Sequence, residues 1–369
     1  MLVKLVRRSL REGVRHSVVS LLPEGPLAAP LREMGVEILF LGMRSGRADP
    51  RGLIALCSIL RRLRPSVIQA WMYHGNLLGG IAGKLSGIPS VWGIHHGRLS
   101  GEETGRITLR TARLCARLSP FLPEAIVCCS PSALRAHLEM GYDEKKMTVI
   151  PNGFDLEAFR PDPEARAASR RRLGFSGGEF VIGMAARFVP EKDHGTFFAA
   201  AGLFASRHPE ARFVLCGEGI SPGSPGMARL LDAHPLLRDR TVLLGRVEDM
   251  AGLYPAFDAA ALPSRNEAFP NVLGEALACG VPCVASHAGD AAAIVGDGGI
   301  VIPPGDPGAL DAGWETIFSL SPEKRREMGE RGRQGVMERF SISGAEKRYR
   351  EVWMRASGTE GEGTPSSSR

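Results

Sequence analysis

The chain has 369 residues, 44% hydrophobic and 23% charged, with 45 glycines and 26 prolines; that predicts a soluble globular protein of two domains with many tight turns, and no run is long and apolar enough to span a membrane. The net charge of +6 is uneven: residues 1–150 carry 21 Lys and Arg against 11 Asp and Glu, and the remainder 25 against 29. A basic first half suits an anionic membrane surface, an anionic substrate, or a merely solvated Arg-rich face, and the absence of interleaved aromatics argues against nucleic acid.

The opening MLVKLVRRSLREGVRH lacks the apolar core and cleavage site of a secretory signal. It reads as an amphipathic helix, with Leu2, Leu5, Val6 and Leu10 on one face. Strands are expected at 17–21 and 36–41, a helix at 52–63, a strand at 66–71, a helix at 76–86 and a strand at 90–94. A long basic helix is expected at 104–118, then a strand at 125–130, a helix at 131–140 and a strand at 147–153. Residues 154–177, rich in Asp, Pro, Arg and Gly, read as a connection between domains. The alternation then restarts. Strands are expected at 180–188, 211–219, 241–245, 258–264, 281–286 and 299–305, with helices between them. Such alternation predicts parallel sheets with helices on both faces, hence an α/β protein of two Rossmann-like domains facing a cleft. The predicted limits are 1–153 for the first domain, 178–340 for the second, 341–356 for a C-terminal helix and 357–369 for a disordered tail. Seven scattered cysteines without CxxC spacing, Cys128 and Cys129 adjacent, read as reduced thiols of a cytoplasmic protein, and no metal site is suggested.

Chemistry concentrates where predicted strands end, because ligands of open α/β sheets bind outside the carboxyl ends of the strands. In PSRNEAFPNVLGEALACGVPCVAS (263–286), Glu267 lies in a loop after a strand and Glu275 inside the following helix. The start of that helix, with Pro270 suited to its first turn, offers unpaired N–H groups and a positive dipole end, a place for phosphate. The carboxylates beside it can accept hydrogen bonds from sugar hydroxyls. In GMAARFVPEKDHG (183–195), Arg187 and Lys192 offer two cations to a diphosphate. Gly217, in GEG at 217–219, marks either a phosphate approach or a tight turn. In the first half, WGIHHG ends a strand with His95 and His96, of which alternation brings one into the cleft. Tyr73 and His74, at another strand end, are candidates to line an acceptor site.

These residues resemble the retaining glycosyltransferases of family 4, which have the GT-B fold. Glu267 and Glu275, with seven residues between them, match that family's signature, and Arg187 and Lys192 its basic pair. PNGFD (151–155) resembles its interdomain segment and GIPSVWGIHH its histidine strand; the likeness covers roughly residues 1–355. The resemblance implies transfer of a sugar from a nucleotide-diphosphate sugar, UDP- or GDP-linked, to a polysaccharide or lipid-linked acceptor, with retention and without metal or covalent cofactor. It implies a cytoplasmic protein, free or peripheral on the inner membrane face. Arg187 and Lys192 would hold the diphosphate, Glu267 the transferred sugar and Glu275 the ribose. Backbone N–H groups of Phe269, Asn271 and Val272 would assist at the helix start, Arg246 and Val247 would lie by the base, and His95 or His96 would face the sugar. The same fold also admits two other readings: a nucleotide-sugar epimerase, for which no acid–base pair stands out, and a non-catalytic nucleotide-sugar-binding protein. Family members open with a strand and a Gly-rich loop before the first helix. Here Met1 falls within that helix, so both are expected to be absent from the chain as given, through a misassigned start or through degeneration.

Overall fold

The computed structural model describes residues 1–44, 50–97, 99 and 105–359. The expected tail lies almost wholly outside the described residues. Contacts divide the chain into two compact units, Met1–Gly153 together with the segment from Ile342, and Phe154–Ser341.

The first unit runs α1 (Leu2–Arg11), β1 (Ser17–Ser20), α2 (Ala28–Glu33), β2 (Glu37–Phe40), α3 (Pro50–Leu63), β3 (Ile68–Trp71), α4 (Met72–Ser86), β4 (Ser90–Ile94), α5 (Arg106–Leu118), β5 (Ala125–Cys128), α6 (Pro131–Glu139) and β6 (Met147–Val149). Its strands form two parallel ladders: β1 with β2, and a four-stranded sheet in the order β3-β4-β5-β6. β4, SVWGI, is buried along its whole length, as a strand covered on both faces must be, whereas three of the four residues of β1 are only half-buried. Val19 of β1 and Ile68 of β3 pack on one cluster with Leu56 and Leu60 of α3.

The second unit begins before its first strand. The expected connection contains α7 (Pro163–Arg172), capped by Asp162 on Ala165 N. This helix is riveted to the sheet through Asp258, which receives Arg166 at 2.6 Å, Arg170 at 2.5 Å and the N–H of Val181 at 2.7 Å. Arg166 also donates to the carbonyls of Pro255 and Phe257. A buried carboxylate needs such partners, and they make the segment part of the domain rather than a linker. Then follow β7 (Phe180–Ala185), α8 (His194–Arg207), β8 (Ala211–Cys216), α9 (Pro225–Ala233), β9 (Thr241–Leu243), α10 (Met250–Leu253), β10 (Ala259–Leu262), α11 (Asn271–Ala278), β11 (Cys283–Ser286), α12 (Ala291–Val295), β12 (Gly299–Ile302), α13 (Pro307–Phe318) and α14 (Pro322–Phe340). The sheet is parallel, in the order β12-β11-β10-β7-β8-β9. Its core joins Ile182 and Phe213 to Phe197, Phe204 and Trp314 of the flanking helices.

The last helix, α15 (Ile342–Ser357), returns to the first unit instead of standing alone. Tyr349 and Trp353 enter a core with Leu5, Val91 and Val127, and Trp353 Nε1 donates to Gln69 at 2.8 Å. All seven cysteines are free and buried. Among the described residues no helix is long and apolar enough to cross a membrane.

Candidate nucleotide-sugar site

The strand order of the second unit reverses beside β7: the chain lays β7, β8 and β9 outward, then crosses back to place β10 on the other side of β7. Crossovers leave on opposite faces at such a point and open a crevice at the carboxyl ends of the two strands. The loop after β7 carries Arg187 and Lys192, and the loop after β10 carries Glu267. The fold therefore brings together residues far apart in sequence.

Lys192 Nζ donates to Glu267 Oε1, and the two side chains are only 19% and 10% exposed. Behind this pair, Asp193 adopts a left-handed backbone, φ 48° and ψ 55°. It caps α8 by accepting from Thr196 N at 3.2 Å and Thr196 Oγ1 at 2.8 Å. Arg265 Nε donates to Asp193 Oδ2 at 2.7 Å, and Arg265 N donates to the Glu191 carbonyl at 2.8 Å. The turn bearing Lys192 is thus stitched on both sides to the loop bearing Glu267. These bonds to Arg265 and Thr196 hold the Asp193 carboxyl below its ordinary range against the burial that raises it. Next to it, His194 is buried and packs edge-on to Phe188 at 5.1 Å, and both ring nitrogens lack a partner among the described residues. Burial lowers its pKa to about 4.

Glu267 is also braced from behind. A side chain at Gly289, φ +54°, would collide with the Glu267 carbonyl, and Asp290 N donates to Ala268 O at 3.2 Å. α11 begins at Asn271 with Pro270 as its N-cap and no side-chain cap. Pro270 therefore stands one residue before the first turn in which the sequence placed it. Asn271 is exposed and Val272 half-buried. The Phe269 side chain is buried against Phe154 and Phe340, so only its backbone faces a ligand role. Glu275, half-buried on the second turn, has the Tyr254 hydroxyl at 3.5 Å. On the other flank, Gly217 N donates to Gly245 O at 2.7 Å and Phe188 N to Glu218 O at 2.8 Å. Gly217, φ +143°, lies so near the Ala186 carbonyl that no Cβ fits. These bonds lace the exposed Arg187 and Arg246, and the half-buried Val247, onto one rim.

The first-unit candidates diverge. His95 is half-buried, stacked on Trp71 at 4.8 Å with Nε2 unpartnered among the described residues, and burial lowers its pKa to about 4. His96 is exposed. Tyr73 does not line an open site. Met72, at φ 63°, turns β3 into α4 in a single residue, so Tyr73 falls inside the helix, 1% exposed, with its hydroxyl 2.9 Å from His137 Nε2. His74 is exposed, 3.4 Å from Thr111 Oγ1. Sequence reasoning missed Asp193, Arg265 and Gly289. The signal for Asp193 was an Asp three residues before a Thr at a helix start; Arg265 had none.

Residues 1–158 match the family described as Glycosyltransferase Family 4, and residues 165–335 the one described as glycosyl transferases group 1. A UDP-Gal:alpha-D-GlcNAc-diphosphoundecaprenol alpha-1,3-galactosyltransferase of Escherichia coli is 29% identical over 250 residues, 65% of this chain and 62% of that one. A D-inositol 3-phosphate glycosyltransferase of Segniliparus rotundus is 31% identical over 203 residues, 53% of this chain and 44% of that one. The chain thus spans less than two thirds of the length of these relatives. Among solved structures, Anabaena Alr3699/HepE in complex with UDP-glucose superposes with a TM-score of 0.83 at 22% identity, over 96% of this chain and 94% of that one. Sucrose-phosphate synthase from Thermosynechococcus elongatus gives 0.80 at 18% identity, over 97% and 92%. These likenesses show the fold, an α/β GT-B fold of two Rossmann-like domains.

Proposed function

From a chain of the family 4 and group 1 glycosyltransferase type, we infer an enzyme that moves a sugar from a nucleotide-diphosphate sugar to a polysaccharide or lipid-linked acceptor. The observation that carries this reading is the meeting of Lys192 with Glu267 at the switch point of the second sheet. A cation held against the loop that leads into α11 suits a diphosphate, and the carboxylate it touches suits the hydroxyls of the attached sugar. The similarity to a galactosyltransferase that uses UDP-Gal favours UDP as the donor nucleotide. Arg187 and Lys192 offset charge on the departing diphosphate, the part a divalent metal plays elsewhere, which supports metal-independent transfer. Retention follows the resemblance to retaining enzymes, and the leaving phosphate then receives the acceptor proton.

The test is thermal stabilisation by UDP, GDP, UMP and UDP-sugars in the presence of EDTA. A ligand that binds only the folded state raises stability by mass action. A shift with UDP that persists in EDTA and is lost in Glu275→Ala is the expected result. The absence of any shift from the folded chain would remove the donor site.

A further inference from the structure

Lys192 sits between two residues that Arg265 holds. Glu191 before it accepts the Arg265 N–H at 2.8 Å, and Asp193 after it accepts Arg265 Nε at 2.7 Å. The Glu191 carbonyl belongs to the peptide plane that enters Lys192, and Asp193 closes the plane that leaves it. With both planes fixed, the direction in which the Lys192 side chain departs is fixed as well. The backbone bond survives any ordinary replacement at 265, whereas the Nε bond is made by the side chain alone.

Asp193 is the residue of this turn that most needs a partner. Its left-handed backbone, φ 48° and ψ 55°, is unfavourable for a residue with a Cβ and persists only where surrounding bonds over-determine it. Its side chain is 8% exposed, and its carboxylate accepts from Thr196 N and Oγ1 on the α8 side and from Arg265 on the other. The Arg265 side chain is 64% exposed, so folding gains little from the pair. What the pair governs instead is the turn it grips. At the far side of that turn, Lys192 Nζ donates to Glu267, two residues along from Arg265 on the loop after β10.

We propose that Arg265 is a positioning residue: through Asp193 it aims the Lys192 ammonium at Glu267 and at the donor diphosphate, without touching the donor. The aim at Glu267 is a property of the chain by itself, while the aim at the diphosphate rests on the donor-site reading above.

Glutamine separates positioning from direct contact. Its Nε2 lies as many bonds from the backbone as arginine Nε and can donate to Asp193 without the charge or the two terminal amino groups; methionine has the same reach and donates nothing. In titration calorimetry, UDP binding is expected to weaken about fivefold in Arg265→Met, the size of an exposed ion pair, and to stay within about twofold of the parent in Arg265→Gln. In a Lys192→Ala background, Arg265→Met is expected to cost less than about twofold more, because two residues acting through one group are not additive. Without any ligand, acetylation by acetic anhydride, read by mass spectrometry against the exposed Lys324, reports the Lys192 ammonium. Lys192 should label faster in Arg265→Met and at the parent rate in Arg265→Gln. Equal loss of UDP binding in the two variants would mark a direct guanidinium contact and overturn the proposal. Labelling of Lys192 at the parent rate in Arg265→Met would overturn it too. A parent chain that binds no UDP would remove the donor site, and the labelling then decides the placement of Lys192 on its own.

Discussion

Lys192 faces two claims on its charge, the Glu267 carboxylate it touches and the diphosphate proposed for it. The two partners should therefore respond in opposite directions to truncation. Lys192→Ala removes the cation and leaves a nearly buried carboxylate facing the anionic donor, so UDP binding weakens more than UMP binding. Glu267→Ala frees the ammonium, so UDP binding holds or tightens while transfer falls at least about tenfold, as loss of one transition-state contact does. Titration calorimetry with UDP and UMP, beside a transfer assay, reads both; parallel loss of UDP affinity in the two variants would contradict the arrangement. At this scale the spacing of Glu267 and Glu275 and the basic pair after a strand were legible, because strand ends and helix starts are local. The pairing of Asp193 with Arg265 spans 72 residues and depends on which strands become neighbours. No local pattern encodes that. Tyr73 was misplaced for a different reason: one left-handed residue at Met72 removed the loop that the pattern implied.

Among the elements, α8 opens with a group that resists acid. His194 is buried at its first turn and stays neutral down to about pH 4, whereas an unfolded histidine titrates near 6.5. Its depressed folded pKa gives stability that is complete above pH 6.5 and drains away as pH falls toward 4, by about 3 kcal/mol at most. Denaturant midpoints across that window should drop steeply for the parent and less for His194→Leu; identical slopes would show that another group governs acid unfolding. Elements themselves were read well where burial on both faces forces a continuous apolar run, as in β7 and β4. They were read less well where a partner far away decides membership, as with α7, whose polar composition suggested a linker until Asp258 supplied a buried acceptor for its arginines.

At the level of the whole molecule, the first unit depends on a helix that follows the second. Tyr349 and Trp353 are large side chains in its core, 0% and 7% exposed. Losing both, at about 3–5 kcal/mol for each such side chain, consumes much of a domain's marginal stability. A chain ended after Ser341 should lose the cooperative melting of its first unit and keep that of the second, in which Trp314 reports by fluorescence. Two intact transitions would show α15 to be dispensable. The sequence announced two Rossmann-like halves through their repeated alternation. It did not announce that the last helix doubles back, because an amphipathic stripe states what must be covered and not by which surface.

The return of α15 has a consequence for synthesis on the ribosome. The second unit, residues 154–341, is contiguous and complete once its own residues have emerged. The first unit leaves the ribosome earlier but waits for Tyr349 and Trp353 while all of the second is translated, about 10 to 40 s at ordinary elongation rates. The N-terminal half is therefore the later of the two to close its core, and its partly covered strands β1 and β3 are the surfaces a nascent-chain chaperone would meet in that interval.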